Sequence, residues 1–203
     1  FETIYLHWMV KDKHGAKMSK SKWNGIDPLD MIEKYGTDAL RLTLSIWNTP
    51  GNDLKFDESN VENNMLFVNK LWNASRFVSV NLSQEVSSMS LDDIQWELKD
   101  NYWDLLFHEK WILSRIKHLN DISTQSMDNY NFSEIWEELQ TFTKNEFCDY
   151  YIEEFKLTKH KSKYGEKVIT FVLNNLLRLW HPYIPFVTEE IYSKLGFSGD
   201  LIV

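Results

Sequence analysis

The sequence predicts a mainly α-helical protein: a short N-terminal β-hairpin and a lysine-rich loop, followed by an antiparallel helix bundle. Three observations carry this expectation. Between Gly51 and Pro182 there is no proline and a single glycine, Gly165, so the middle of the chain lacks the turn punctuation of an all-β fold. Apolar residues over the same stretch recur near helical spacing in four separate stripes. A chain of 203 residues, 43% hydrophobic and 15% aromatic, is also long enough to bury a good core, which four such stripes would supply in a bundle.

Taken in order, Thr3 to Val10 is an apolar run bounded by a polar turn at Lys11 to Gly15, which reads as one strand of a hairpin. The lysine loop follows. Asp27 before Pro28 is a good N-cap and first-turn pair, and Gly36 suits a C-terminal stop, giving a short helix from Pro28 to Tyr35. Thr37 can cap the next helix. Leu40, Leu42, Leu44 and Ile46 alternate as a strand would, but the helical propensity of Ala39 to Leu42 favours helix. The four stripes are Val61, Met65, Val68, Leu71, Trp72, Phe77 and Val78, then Trp111, Ile112, Ile116 and Leu119. They continue with Ile135, Leu139, Phe142, Phe147 and Tyr151, and end with Val168, Phe171, Val172, Leu176 and Leu179. Pro182 and Pro185 close the last stripe, and the polar stretch Ser83 to Asp100 reads as a long connector.

Composition sets limits on function. A net charge of −8 argues against nonspecific nucleic-acid binding, although Lys156, Lys159, Lys161, Lys163 and Lys167 gather closely enough to be a candidate RNA-backbone patch or a solvated loop. Cys148 is the sole cysteine, which excludes an internal disulfide and a cysteine-based zinc site and suits a reducing cytoplasm. No apolar stretch is long enough to span a membrane, so a soluble, cytoplasmic protein is expected. Phe1 is not an initiator methionine and the chain stops on the apolar run Leu201-Ile202-Val203, so a piece of a longer chain is expected.

The chemistry-bearing motif is Lys17-Met18-Ser19-Lys20-Ser21, followed by Asn24, Asp27 and Pro28. Lysine is a compact, mobile ammonium with three donors, so two on a short polar loop can follow charge that builds on a leaving pyrophosphate, with serine hydroxyls assisting. A solvated basic turn is the competing reading. No Ser/His/Asp set, HExxH or glycine-rich phosphate loop accompanies it, and His181 before Pro182 reads as a helix terminator.

That pentapeptide, KMSKS, resembles a signature of the class I aminoacyl-tRNA synthetases, and two later segments resemble the same family. Tyr35-Gly36-Thr37-Asp38-Ala39-Leu40-Arg41 is similar to the segment that names DALR-type anticodon-binding domains. Leu179-Trp180-His181-Pro182-Tyr183-Ile184-Pro185-Phe186, with Thr188-Glu189-Glu190-Ile191, looks like their closing helices. Asn48 to Phe56, Asn69 to Phe77 and Phe147 to Glu153 look like the valine-specific members.

The resemblance implies that residues 1–56 are the end of a catalytic domain with its KMSKS loop and connecting, stem-contacting helices, and residues 57–203 a helical anticodon-binding domain. It implies part of a valine–tRNA ligase, activating valine with ATP and transferring it to tRNA(Val). Lys17 and Lys20 would then be catalytic, the run Lys17, Met18, Ser19, Lys20 and Ser21 would contact ATP, and Mg2+ and a monomeric state are expected from the family. A bundle that reads an anticodon must stack splayed bases and bond their edges. Lys70, Asn73, Arg76 and Phe77 offer a cation, an amide, a guanidinium and a ring on consecutive turns, although an aromatic there can equally be core. The family's HIGH motif and editing domain are missing from these residues, so the chain alone is expected not to form an adenylate. The alternative is a non-catalytic tRNA-binding module or a degenerate paralogue.

One departure is systematic: Trp8, Trp23 and Trp47 stand where that family typically has glycine, in a chain with nine tryptophans and seven glycines. The expectation is that these codons are UGA read as glycine in the source organism but translated here as tryptophan, the alternatives being a degenerate, non-catalytic paralogue or real drift. Real tryptophans there would obstruct loop closure, because glycine allows close approach and positive φ.

Overall fold

The computed structural model describes residues 4, 9–46, 53–197 and 201, the side chains of residues 133 and 134 excepted. Two apolar clusters organise it. The smaller gathers Met31, Ala39, Leu40, Phe56 and Val61 beneath the lysine loop; the larger fills the bundle.

The loop-bearing layer begins with β1 (Val10–Lys11), which pairs in parallel with β2 (Leu54–Lys55). The strand expected from Thr3 to Val10 lies mostly outside the described residues, and the parallel partner is one the sequence did not name. Within the described residues the antiparallel contact is a single bridge, Lys11 to Lys17, and the ladder partner comes from 44 residues downstream. Leu54 and Phe56 are buried apolar residues, and their N–H groups donate to the carbonyls of Met9 (3.1 Å) and Lys11 (2.8 Å). Asp53 completes the pairing, accepting from the Met9 N–H and forming an ion pair with Lys11 at 2.5 Å.

Helix α1 (Pro28–Tyr35) starts and stops as its sequence dictates: the Asp27 carboxylate accepts from the Leu29 N–H at 2.9 Å, Pro28 is the first residue, and Gly36 leaves at φ 86°. Helix α2 (Thr37–Ile46) presents Ala39 and Leu40 to the small cluster and Leu42 and Ile46 to the large one. It is the shared wall between the two layers. Helix α3 (Glu58–Asn81) is tied to α1 at its start, where Glu58 accepts from the Lys34 ammonium (2.6 Å) and the Tyr35 hydroxyl (2.8 Å).

The expected connector from Ser83 to Asp100 is instead α4 (Gln84–Ser88) and α5 (Leu91–Asp100). Its polar character is what a one-sided helix needs. Ser83 and Ser90 cap the two starts by accepting from the N–H groups of Val86 and Asp93, while Val86, Ile94 and Leu98 are buried. Lys167 bonds Glu97 at 2.6 Å and fixes α5 to the bundle.

Helix α6 (Phe107–Asp128) packs on α7 (Phe132–Thr141) and on α9 (Gly165–Trp180). Helix α7 runs without a break into a π-helical stretch, Phe142–Tyr151, and then α8 (Ile152–Thr158). The step of five from Phe142 to Phe147 is that of the wider turn, which keeps Phe142, Phe147 and Tyr151 all facing the core. Arg115 clamps the stretch to α6 through two 2.7 Å bonds to Glu146. Trp180 is fully buried at the end of α9, its indole N–H donating to Thr143 Oγ1 at 2.9 Å and its ring 4.8 Å from Phe67. Helix α10 (Pro185–Lys194) opens on proline after the turn at 181–184, and His181 there bonds Thr188 at 2.8 Å, a structural role.

Candidate functional site

The lysine loop is held by one carboxylate and one amide. Asp12 accepts from the N–H groups of His14 (3.0 Å) and Ala16 (2.8 Å) and, through its other oxygen, from Asn24 Nδ2 at 2.8 Å. Asn24 reaches back across the loop: its Nδ2 also donates to the Lys17 carbonyl (3.2 Å) and its Oδ1 accepts from the Ser19 N–H (2.9 Å). These bonds, that from Asn24 foremost, hold the Asp12 carboxyl below its ordinary value. The sequence motif points to the lysines. The residues that shape the loop are Asp12 and Asn24, and the Asp12-Lys13-His14-Gly15 turn is their visible signal.

Within that frame the five motif residues divide. Met18 turns inward and packs on the small cluster under the loop, so its role is anchorage. Ser19 and Ser21 bring their hydroxyls to 3.3 Å of each other, and Lys20–Lys22 form a single 3-10 turn. Lys17 and Lys20 are exposed, and among the described residues neither has an ion-pair partner. Two uncommitted ammonium groups and two hydroxyls on a pinned loop suit a polyphosphate whose charge moves during reaction. Trp23 follows at φ 52°, ψ 24°, a left-handed conformation, with its indole 94% exposed. Trp8 and Trp47 lie outside the described residues.

A second candidate surface lies on α3. By helix geometry Lys70, Asn73, Arg76 and Phe77 share one arc, yet their neighbours differ. Lys70 pairs with Asp149 at 2.8 Å and lines a cavity of about 470 Å³ between α2, α3, α7 and the π-helical stretch. Lys144 stands across that cavity, 5.5 Å from the centre of the Phe67 ring, and its pKa is pushed down by burial and by the nearby charge of Lys70. Asn60, Asn63 and Gln140 add amides, and among the described residues the lining includes no carboxylate. Asn73 is exposed; Arg76 is exposed beside Trp72 and Lys194 in a smaller groove against α10. Phe77 is the one most engaged in packing, edge-on to Phe155 at 6.3 Å with Lys156 5.2 Å above its ring.

The lysine cluster of residues 156–167 does not form one patch. Lys156 pairs with Glu153, Lys159 donates to the Asn81 carbonyl, Lys163 bonds the Tyr164 hydroxyl and Lys167 is buried against Glu97. Cys148 is half-buried, which pushes its thiol up to about 11. Among the described residues no group of three His, Cys, Asp or Glu side chains is placed to hold a metal, and no helix is long and apolar enough to cross a membrane.

Asp38 and Arg41, one helical turn apart on α2, explain the second sequence segment. The Asp38 carboxylate accepts from the N–H groups of Phe186 (3.3 Å) and Val187 (2.7 Å) at the start of α10, and Arg41 donates to the Pro182 carbonyl at 3.3 Å. Burial pushes the Asp38 pKa up, against the pull of those N–H bonds.

Comparison with known proteins gives two family matches: tRNA synthetases class I (I, L, M and V) over residues 1–57, and the anticodon-binding domain of tRNA ligase over residues 109–203. The whole chain aligns with a valine--tRNA ligase of Bacillus thuringiensis at 41% identity over 207 residues and with one of Pseudothermotoga lettingae at 40% over 209. In each case the chain spans 22% of the relative's length. A LeuRS–tRNA–LeuAMS ternary complex from Agrobacterium radiobacter superposes with a TM-score of 0.74 at 19% identity, over 97% of this chain and 23% of that one, which establishes a shared fold.

Proposed function

The chain belongs to the class I tRNA synthetase family, and on that premise we propose that it is part of a valine–tRNA ligase, supplying the lysine loop for ATP-dependent activation of valine and a helical surface for tRNA(Val). The observation that carries this reading is the alignment of all its residues with valine--tRNA ligases at about 40% identity, around an intact and pinned KMSKS loop. A tRNA-binding module without chemistry is not favoured, because it leaves two uncommitted lysines on a preorganised loop without a role.

Residues 1–56 then close a catalytic domain and residues 57–203 form the anticodon-binding domain, with α2 as their common wall. In activation the valine carboxylate attacks the α-phosphate of ATP, an oxygen–phosphorus bond forms, and pyrophosphate leaves with its electron pair. Lys20, with Lys17 beside it, meets the growing negative charge on that leaving group, and the Ser19 and Ser21 hydroxyls donate to it. Asp12 and Asn24 act through the loop backbone as positioning residues. The loop offers cations and hydroxyls and no set of carboxylates, which does not fit a magnesium ion held by these residues; charge neutralisation here falls to the lysines. Lys70, Asn73, Arg76 and Phe77, with Lys144, are the proposed tRNA contacts, and the proposed setting is a cytoplasmic monomer.

The test is valine-dependent ATP–pyrophosphate exchange by the intact protein. Replacing Lys20 by Ala should lower the exchange rate about 100- to 1,000-fold, the loss of one well-placed charge-stabilising group, with tRNA affinity nearly unchanged. Equal losses in both would overturn the assignment. The 203-residue chain by itself should show no exchange.

A further inference from the structure

A cavity of about 730 Å³ opens between α5, α6 and α9 and shares no lining residue with the lysine loop or the α3 face. Among the described residues three exposed cations, Lys99, Lys117 and Arg178, line it against one carboxylate, Asp92. That balance runs opposite to the net charge of −8 of the whole chain. Lys117 approaches Asp121 only at 3.9 Å, an exposed pair that holds it weakly.

The amides of the wall are unequal. Asn120 Nδ2 donates to Asn175 Oδ1 at 3.3 Å, and Asn175 Nδ2 donates to the Phe171 carbonyl at 2.8 Å. Asn174 lines the same cavity, is 4% exposed, and among the described residues its Nδ2 has no acceptor. A buried donor without a partner is costly, and an acceptor brought by a ligand removes that cost. The cavity is wider than one ion needs, and Leu113 and Phe171 give it an apolar side that suits a base or ribose. Helix α5, which builds one wall, lies outside both family matches.

Resting on the tRNA-binding reading above, we propose that this groove is a further RNA-backbone site: Lys99, Lys117 and Arg178 hold phosphates, and Asn174 donates to an acceptor of the nucleotide between them. The site contributes affinity rather than anticodon identity, since phosphate contacts carry no sequence information.

The experiment is filter binding of a tRNA(Val) transcript across a salt series. The protein carrying Lys99→Ala, Lys117→Ala and Arg178→Ala together should bind about 10- to 100-fold more weakly, and the slope of log affinity against log salt should shrink by about 0.7 to 0.9 for each phosphate no longer neutralised. Asn174→Leu should weaken binding about 3- to 10-fold while its thermal midpoint holds or rises, because it removes an unpaired buried donor; an asparagine with only a structural role would lower the midpoint and leave affinity alone.

Unchanged affinity and salt slope in the triple variant, with Lys70→Ala weakening binding as usual, would overturn the groove and leave the α3 reading standing. A wild-type protein that does not bind the transcript would overturn both. Saturable binding of AMP that the triple variant abolishes, with transcript affinity intact, would make the groove a mononucleotide site and also overturn the proposal.

Discussion

The lysine loop and the helix bundle are built on opposite physical terms. From Asp12 to Asn24 the backbone is held by hydrogen bonds to two polar side chains, and among the described residues Met18 is the one loop residue packed on an apolar cluster. The bundle is held by burial: Leu71, Ile112, Phe147, Val172, Leu176 and Trp180 are all fully enclosed. A loop pinned at a few polar points can change shape as charge moves on a substrate, whereas a close-packed core keeps a recognition surface fixed. The proposed chemistry sits on the first and the proposed base reading on the second.

Removing bulk from the bundle therefore has the largest effect. Trp180→Ala deletes an indole in contact with Phe67 and Tyr183 and leaves the buried Thr143 hydroxyl without its donor. The expected cost is about 3–5 kcal/mol of unfolding free energy, read by urea titration, with Lys20→Ala shifting the same curve by less than about 0.5 kcal/mol. Similar shifts for the two variants would erase the distinction between the regions.

Next in size is the link between α2 and α10. Asp38→Ala leaves the Phe186 and Val187 N–H groups without their acceptor and should cost about 1–3 kcal/mol, while Asp38→Asn, which keeps one acceptor oxygen, should cost less. Thermal melts of both variants check this. Equal losses would mean that the carboxylate's second oxygen is the one that matters.

How much of this was legible in the sequence follows the reach of each interaction. Local signals were readable: Asp27 and Pro28 start α1 and Gly36 ends it, and the apolar stripes trace α3, α6, α7 and α9. The parallel pairing of Val10–Lys11 with Leu54–Lys55 was not, because nothing adjacent to either strand names a partner so far along the chain. Ser83 to Asp100 misled through composition: two serine caps and a surface-facing acidic side look like a connector until Ile94 and Leu98 are seen at helical spacing. The π-helical turn was present as the five-residue step from Phe142 to Phe147, but a 3.6-residue template absorbs one such step without protest. For the site, the lysines were legible as a candidate for chemistry. The roles of Asp12, Asn24 and Asp38 were not, since each depends on bonds that the fold assembles.

Trp23 tests the loop from its backbone. A non-glycine residue at φ 52° is strained by about 1–2 kcal/mol, and an indole 94% exposed gains little packing to offset it. Trp23→Gly should raise stability by about 0.5–1 kcal/mol after the greater freedom of glycine in the unfolded chain is counted, and should raise pyrophosphate exchange by the intact protein. The gene should carry UGA at codon 23. A UGG codon together with a destabilised glycine variant would make the tryptophan native to the loop.

The smallest effect sharpens the comparison most, because it acts on the loop alone. Asp12 is bonded as a carboxylate, so its folded pKa lies below the ordinary 3.8. A depressed carboxylate contributes its full stabilisation above the unfolded value and loses it as pH falls through the folded one, so the loop should loosen only below about pH 4. Amide signals of His14 and Ala16, which donate to Asp12, should move together over that window, while the indole N–H of Trp180 stays in place. In Asn24→Ala, which deletes the largest contribution to the Asp12 shift, the midpoint should move up toward 3.8. If the midpoint stays where it is, the amide does not hold the carboxylate, and the loop is shaped by its backbone turn alone.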